Sequence, residues 1–313
     1  MSHGLVLAQS SGSRRPARTA AWVPPHAYFV VSAVFHYLGP SFAVLLFARV
    51  QVLGVAWLRI VSAALILALW RRPWRAFASL DPGGRRLLLG WGAALAAMNC
   101  CFYEAISRLA LGTVAAIEFL PVIALAALGA RSPRNVLALV LAVPGVYLLT
   151  DVRLAGAPIG FLFAFANAAL FALYIVLADT VAKWPELSGI DGLAAAMLIA
   201  AVAVTPVGGW QASGAFGDPV ALLAGLGVGV SSSVIPYVTD QLAMARLPRA
   251  TYATMVALLP ALATIIGVVV LGQVPTWLEV AGVALVVCGV AVHRAPGTQG
   301  QPGKRGPGST TDS

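Results

Sequence analysis

Charged side chains are scarce in this chain. Asp, Glu, Lys and Arg make up 10% of its 313 residues, where a soluble domain carries about 25%. A soluble protein this poor in charge would have too little polar surface to face water. Lipid removes the conflict, because apolar side chains then face outward. Cysteine is rare as well. Cys100, Cys101 and Cys288 lie inside apolar runs with no CxxC pattern, which excludes a disulfide framework and a thiolate metal site. The histidines His3, His26, His36 and His293 are scattered, and neither HExxH nor DxxxD occurs. No metal or cofactor is therefore expected. Acids are outnumbered, 11 against 20 Lys and Arg, but the bases sit in short segments between apolar runs. They read as topology signals rather than as a nucleic-acid footprint.

What is present is long apolar stretches. A membrane helix needs about 20 mainly apolar residues, and ten stretches qualify: 26–47, 51–70, 87–106, 110–129, 134–150, 157–177, 190–210, 220–240, 250–271 and 275–293. The expected class is an all-α polytopic membrane protein. Residues 1–25 read as an uncleaved cytoplasmic arm: Arg14-Arg15 has the look of a twin-arginine signal, but Pro16-Ala17-Arg18 stands where an apolar stretch should follow. Residues 295–313, rich in Gly, Pro, Ser and Thr, read as a disordered cytoplasmic tail.

The distribution of positive charge tests this count. With the N-terminus in the cytoplasm and sides alternating, the inner segments carry Arg71, Arg72, Arg75, Arg85, Arg86, Arg131, Arg134, Lys183, Arg246 and Arg249, besides the bases of both termini. The outer side carries only Arg49, Arg108 and Arg153. That asymmetry is the positive-inside pattern and sets both termini in the cytoplasm of a cell inner membrane. Gly225 and Gly229, and Ala93 and Ala97, have the small-residue spacing that lets helices approach closely. Pro40, Pro121, Pro144, Pro236 and Pro260 fall within spans, where each removes a helix hydrogen bond.

A faint internal repeat divides the chain. Arg108-Leu109 leads to Pro121, and Arg246-Leu247 leads to Pro260. These segments are the fourth and ninth spans, so the repeat is five helices long. An odd number of spans inverts the second copy, the construction of many secondary transporters. The expected halves are 26–150 and 157–294.

Charge within a span costs about 2.5–3.5 kcal/mol on insertion scales and needs a partner or a task. Arg59, Asn99 and Glu118 lie on spans two, three and four at a shared depth, roughly 10–12 Å below the outer surface at 1.5 Å per residue. Two readings fit: a substrate or proton site, or a structural Arg59–Glu118 ion pair between helices. His36 and Asn167 lie near mid-membrane on spans one and six, counterparts in the two halves, where they line a central cavity or serve as packing residues. Asp240 and Glu279 lie near span ends, within reach of interfacial water. Trp57, Trp70, Trp74 and Trp277 lie near span ends as interface anchors.

Several motifs carry a family resemblance over residues 30–294. They are Leu58-Arg59, Pro73-Trp74-Arg75, Met98-Asn99 with Phe102-Tyr103, Leu111-Gly112, and Glu118-Phe119 with Pro121. In the second half come Tyr174-Ile175, Pro236-Tyr237 followed by Asp240, Arg246-Leu247-Pro248 and Pro260-Ala261-Leu262-Ala263. The chain resembles EamA-type members of the drug/metabolite transporter superfamily, nearest the bacterial threonine/homoserine exporters. The resemblance implies ten helices in two inverted five-helix repeats and proton-driven export of small amino acids or related metabolites. It adds Tyr103, Tyr237 and Asp240 to the candidate site residues. Leu259 and Gln273 stand where those exporters carry glutamates, which puts any role of those acids in doubt here.

The leading reading is a secondary-active exporter whose substrate, an amino acid or related metabolite, enters near Arg59, Asn99 and Glu118. Protons are the expected coupling ion, the lipid bilayer the environment, and a second copy in a homodimer a further partner. A different metabolite or drug is the alternative within the superfamily. A membrane-embedded transferase would need clustered acids or histidines, and a channel a continuous polar stripe; the sequence has neither.

Overall fold

The computed structural model describes residues 24–121, 123–124, 133–151, 157–181, 190–244, 246–247, 255–256 and 258–292. Most of the expected arm, all of the tail, and parts of the fourth and ninth spans lie outside the described residues. So do the loops that carry Arg131, Arg153, Lys183 and Arg249. Among the described residues the chain is helical throughout: α1 Pro25–Leu46, α2 Val52–Arg71, α3 Trp74–Ser79, α4 Pro82–Ile106, α5 Leu111–Glu118 and α6 Pro133–Asp151. Then follow α7 Pro158–Val181, α8 Ile190–Val204, α9 Pro219–Gly229, α10 Ile235–Met244, α11 Leu259–Leu271 and α12 Trp277–Val292.

Among the described residues, six segments are long and apolar enough to cross a membrane: His26–Leu46, Val52–Arg71, Pro82–Ile106, Pro158–Ala178, Ile190–Gly209 and Pro219–Thr239. Pro133–Leu149, Leu259–Leu271 and Trp277–Val292 are shorter apolar helices. Large apolar side chains face outward, as lipid requires: Leu69 is 79% exposed and Val269 77%.

Local chemistry sets the ends. Asp81 accepts from the Gly84 backbone N–H at 2.8 Å, with Pro82 at the first turn, so α4 starts earlier than its apolar run. Asp218 caps α9 in the same way. Thr276 and Glu279 form a reciprocal capping box at the start of α12: Glu279 accepts from the Thr276 N–H at 2.7 Å, and Thr276 Oγ1 from the Glu279 N–H at 3.3 Å. Glu279 is thereby buried, not turned to interfacial water as its position suggested. Gly272 ends α11 at φ 65°, where a glycine has no Cβ to clash.

Two spans contain a π turn. Thr205–Gly209 extends α8, and Val230–Val234 joins α9 to α10 as one continuous path. Pro236 has no N–H to give the carbonyl four residues back, so the helix loosens just where it carries Ser231, Ser232 and Ser233.

The packing alternates between the halves of the chain. Helix α1 packs on the α9–α10 path and on α11; α4 packs on α7 and α8; α2 packs on α8 and α9; α5 packs on α11; α6 packs on α12. Buried apolar side chains form two main clusters. One holds Tyr37, Leu58, Phe102, Tyr103 and Ile117; the other holds Ile60, Leu67, Leu88, Trp91, Leu95 and Met197. Along α2 the seam between them falls at Arg59, and along α4 between Ala96 and Phe102, at Asn99.

Candidate functional site

Arg59 is 7% exposed, in the middle of α2. A guanidinium has five N–H donors and no acceptor, so in lipid it must find oxygens within the protein. It donates through Nη1 to Asn99 Oδ1, through Nε to Ser233 Oγ at 3.3 Å, and through Nη2 toward the Ser232 carbonyl at 3.4 Å. The guanidinium also lies over the Tyr103 ring, 5.5 Å from its centre. Asn99 cannot turn round: its Nδ2 donates to the Leu95 carbonyl at 2.8 Å, which leaves Oδ1 for the arginine.

Glycines make this approach feasible. A Cβ on Gly229 would stand 2.8 Å from the Arg59 carbonyl, and one on Gly39 would stand 2.7 Å from the Ser232 backbone N. Helices α1 and α2 therefore close on the serine-bearing π turn at backbone contact distance.

Glu118 ends α5 and is buried. Its Oε1 accepts from Asn167 Nδ2, on α7, at 3.3 Å. A carboxylate only accepts, so the Asn167 amide nitrogen faces it and Oδ1 is left without a donor. Tyr37, on α1, lies within electrostatic reach of Glu118. His36 is half-buried beside it, with the two rings edge to face at 5.2 Å, and lies within electrostatic reach of Arg59.

Arg59 and Glu118 are in the same electrostatic neighbourhood, yet they form no ion pair. Ion pairs do form elsewhere, at Arg49–Asp218, Arg71–Asp191 and Arg108–Glu104. Each buried charge is instead held by a neutral amide: Asn99 for the cation, Asn167 for the acid. The structural ion pair considered above is thus absent, because neutral partners occupy both groups.

Four buried polar atoms around these charges lack a hydrogen-bond partner: Tyr37 Oη, Tyr103 Oη, Ser232 Oγ and Asn167 Oδ1. The Tyr103 hydroxyl faces Arg59 and Ser232 without a bond of good geometry. Such orphans are uncommon in native interiors, and a ligand or water is one of the partners that can answer them.

The structure draws Arg59, Asn99 and Tyr103 into one group and Glu118 and Asn167 into its neighbour, with His36 beside Tyr37 and within electrostatic reach of Arg59. Tyr237 packs against the second apolar cluster. Asp240 lies in α10, but its side chain is outside the described residues. Tyr37, Ser232 and Ser233 were missed by sequence reasoning. The run of three serines in an apolar span was the available signal for two of them. Gln273 Oε1 accepts from the Leu111 N–H at 3.0 Å and so caps α5, a task an amide performs without charge. No group of three or more metal-ligating side chains occurs among the described residues.

A cavity of about 410 Å³ opens between α1 and α9, lined by Phe42, Leu45, Arg49 and Val220 and reaching Ser231, next in sequence to Ser232.

Comparison with known proteins supplies the family. Residues 158–294 match the EamA-like transporter family. The threonine/homoserine exporter RhtA of Salmonella typhimurium (strain SL1344) is 32% identical over 256 residues, covering 80% of this chain and 84% of the exporter. The Escherichia coli (strain K12) exporter of the same name is 31% identical over the same shares. One solved crystal structure of a protein superposes with a TM-score of 0.57 over 85% of this chain and 96% of that one, at 17% identity, a likeness of fold alone. The apolar helices, the buried charges and these relatives agree: the chain is a multi-pass membrane protein that belongs to the EamA-like transporter family, of the drug/metabolite transporters.

Proposed function

We propose that the protein is a secondary-active exporter of a small amino acid, threonine- or homoserine-like, or of a related metabolite, driven by protons through alternating access. The observation that carries this reading is the pair of buried opposite charges, Arg59 and Glu118, each held by a neutral amide rather than by the other. A buried charge without a counter-charge is costly and rarely kept without a task. The relatives' names favour an amino acid as cargo.

The reading has ten spans, with the fourth and ninth completed outside the described residues, in two inverted five-helix halves. Contacts between loop ends support the alternation of sides. Arg49 bonds Asp218 and Gln273 caps Leu111, all assigned outside; Arg71 bonds Asp191, both assigned inside. Glycine contacts support a two-fold relation between the halves, which an odd number of spans makes an inverted one. A Cβ on Gly229 would meet the Arg59 carbonyl, and one on Gly92 would meet the Ala196 carbonyl. The same sequence separation relates Gly92 to Gly229 and Arg59 to Ala196. It also relates Gly145 to Gly282, each of which bars a Cβ on the other through its carbonyl.

Substrate reaches the Arg59–Asn99–Glu118 region from the cytoplasm. The cavity beside Arg49 and Ser231 supports an outer path. Glu118 is neutralised by a proton from the outer side as substrate leaves, and gives that proton up on the inner side. Proteoliposomes with an imposed pH gradient test the coupling. The Glu118→Gln variant should lose gradient-driven export by tenfold or more. Export at the wild-type rate with wild-type pH dependence would overturn the coupling role.

A further inference from the structure

The unpartnered atoms fall into two chemically different sets, one beside each buried charge. Beside Arg59 stand the Tyr103 and Ser232 hydroxyls, both able to donate. A guanidinium with two free hydroxyl donors is a receiver for an anionic oxygen pair. Beside Glu118 stand Asn167 Oδ1, which can only accept, and the Tyr37 hydroxyl, which is able to. A carboxylate with two further acceptors is a receiver for a cation carrying several N–H donors. Ser232 and Tyr37 are 1% exposed, and Tyr103 and Asn167 fully buried, so bulk water does not serve these atoms.

We propose that the site reads both charged ends of a zwitterionic α-amino acid: its carboxylate at Arg59, Tyr103 and Ser232, and its ammonium at Glu118, Asn167 and Tyr37. An α-amino acid places three N–H donors and two carboxylate oxygens about one carbon, and the two sets match that inventory. The clamp recognises no feature of the side chain, which is left to the walls of the site. It disfavours amines without a carboxylate and carboxylic acids without an amine, because either leaves one buried charge unanswered. The helices involved come from both halves of the chain, so the clamp is complete only when α1, α5 and α7 meet α2, α4 and the π turn before α10.

The proposal rests on the amino-acid reading above and is tested by equilibrium binding to the purified full-length protein. Radiolabelled L-threonine is displaced by unlabelled L-threonine, by L-threoninamide, which keeps the ammonium but not the carboxylate, and by 2,3-dihydroxybutyrate, which keeps the carboxylate but not the ammonium. Both analogues should compete at least tenfold more weakly than L-threonine. Tyr103→Phe and Ser232→Ala should each weaken L-threonine about tenfold, the size of one hydrogen bond to a charged group, and leave L-threoninamide unchanged. Tyr37→Phe should weaken L-threonine similarly and leave 2,3-dihydroxybutyrate unchanged. The unaffected analogue in each case reports that the variant is folded. If all three ligands weaken together, or the pattern is exchanged between the variants, the two-ended clamp is wrong. A wild-type protein that exports L-threonine but binds both analogues as tightly overturns the clamp and leaves the transport reading standing. A wild-type protein that neither binds nor exports any amino acid overturns both.

Discussion

Arg59 donates to Asn99 Oδ1, and Asn99 is held in that orientation by its own bond to the Leu95 carbonyl. The consequence is electrostatic. A neutral amide positions the guanidinium without cancelling its charge, so the cation stays available to an arriving anion. Asn99→Asp places a permanent carboxylate against Arg59 at almost the same volume. The variant should fold, with a melting temperature near the wild-type value, and lose export by tenfold or more. Wild-type export by Asn99→Asp would mean that the free charge of Arg59 has no part in transport.

Much of this was legible before any coordinates. Charge scarcity, apolar run lengths and the placement of Lys and Arg led to a membrane bundle, and one-dimensional depth placed Arg59, Asn99 and Glu118 on a common level. Depth says nothing of azimuth, however. Whether Arg59 faces Glu118 or Asn99 depends on how α2, α4 and α5 are rotated about their axes, and apolar spans carry almost no periodic signal to fix that. The roles of Ser232 and Ser233 were hidden for another reason. They depend on a π turn, which shifts the facing of later residues and which Pro236 hints at without specifying. Glu279 looked interfacial by position, whereas its capping-box partner, three residues earlier, was readable and overlooked.

Gly39, against the π turn, and Gly227, exposed on α9, give a contrasting pair. A methyl group at Gly39 runs into the Ser232 backbone, which cannot withdraw as a flexible side-chain end would. At Gly227 it meets nothing within 4 Å. Gly39→Ala should cost about 1–3 kcal/mol of stability through overpacking and disturb the Arg59 contact to the π turn, lowering export. Gly227→Ala should be neutral or slightly stabilising, since alanine is favoured over glycine in a helix by about 1 kcal/mol. Thermal unfolding in detergent ranks the two, and equal melting temperatures would contradict the close α1–π-turn approach.

Asp218 supplies a pH-dependent tie outside the membrane-spanning segments. Its hydrogen bond from Arg49, then those from the Ala221 and Val220 N–H groups, hold its carboxyl below the ordinary aspartate range. A group whose pKa is lower folded than unfolded stabilises the fold above the unfolded value. That contribution is lost as pH falls through the folded value. Asp218→Asn keeps an N-cap and loses the ion pair; Asp218→Ala loses both. At neutral pH the melting temperature should therefore fall slightly for Asp218→Asn and further for Asp218→Ala. The gap between wild type and Asp218→Asn should close on acidification below about pH 4 and narrow with salt. A gap that widens on acidification would reverse the sign argued here.

The inversion of the two halves has a direct readout in the loops that follow α2 and α8. Each carries a short helical segment, Trp74–Ser79 in the first and the 3₁₀ turn Ser213–Gly217 in the second. If five spans separate them, these equivalent loops lie on opposite faces of the membrane. Charge already leans that way: Arg71, Arg72 and Arg75 surround the first, and no Lys or Arg lies between residues 205 and 225. Ala78 and Ser213 are both exposed. In a background with Cys100, Cys101 and Cys288 replaced, Ala78→Cys and Ser213→Cys should react with a membrane-impermeant maleimide from opposite sides. Ser213→Cys should label in intact cells, and Ala78→Cys only after permeabilisation. Labelling of both from one side would require an even number of crossings between them. The halves would then be parallel, and the shared glycine contacts Gly92–Ala196 and Gly229–Arg59 would report a two-fold axis along the membrane normal rather than in its plane.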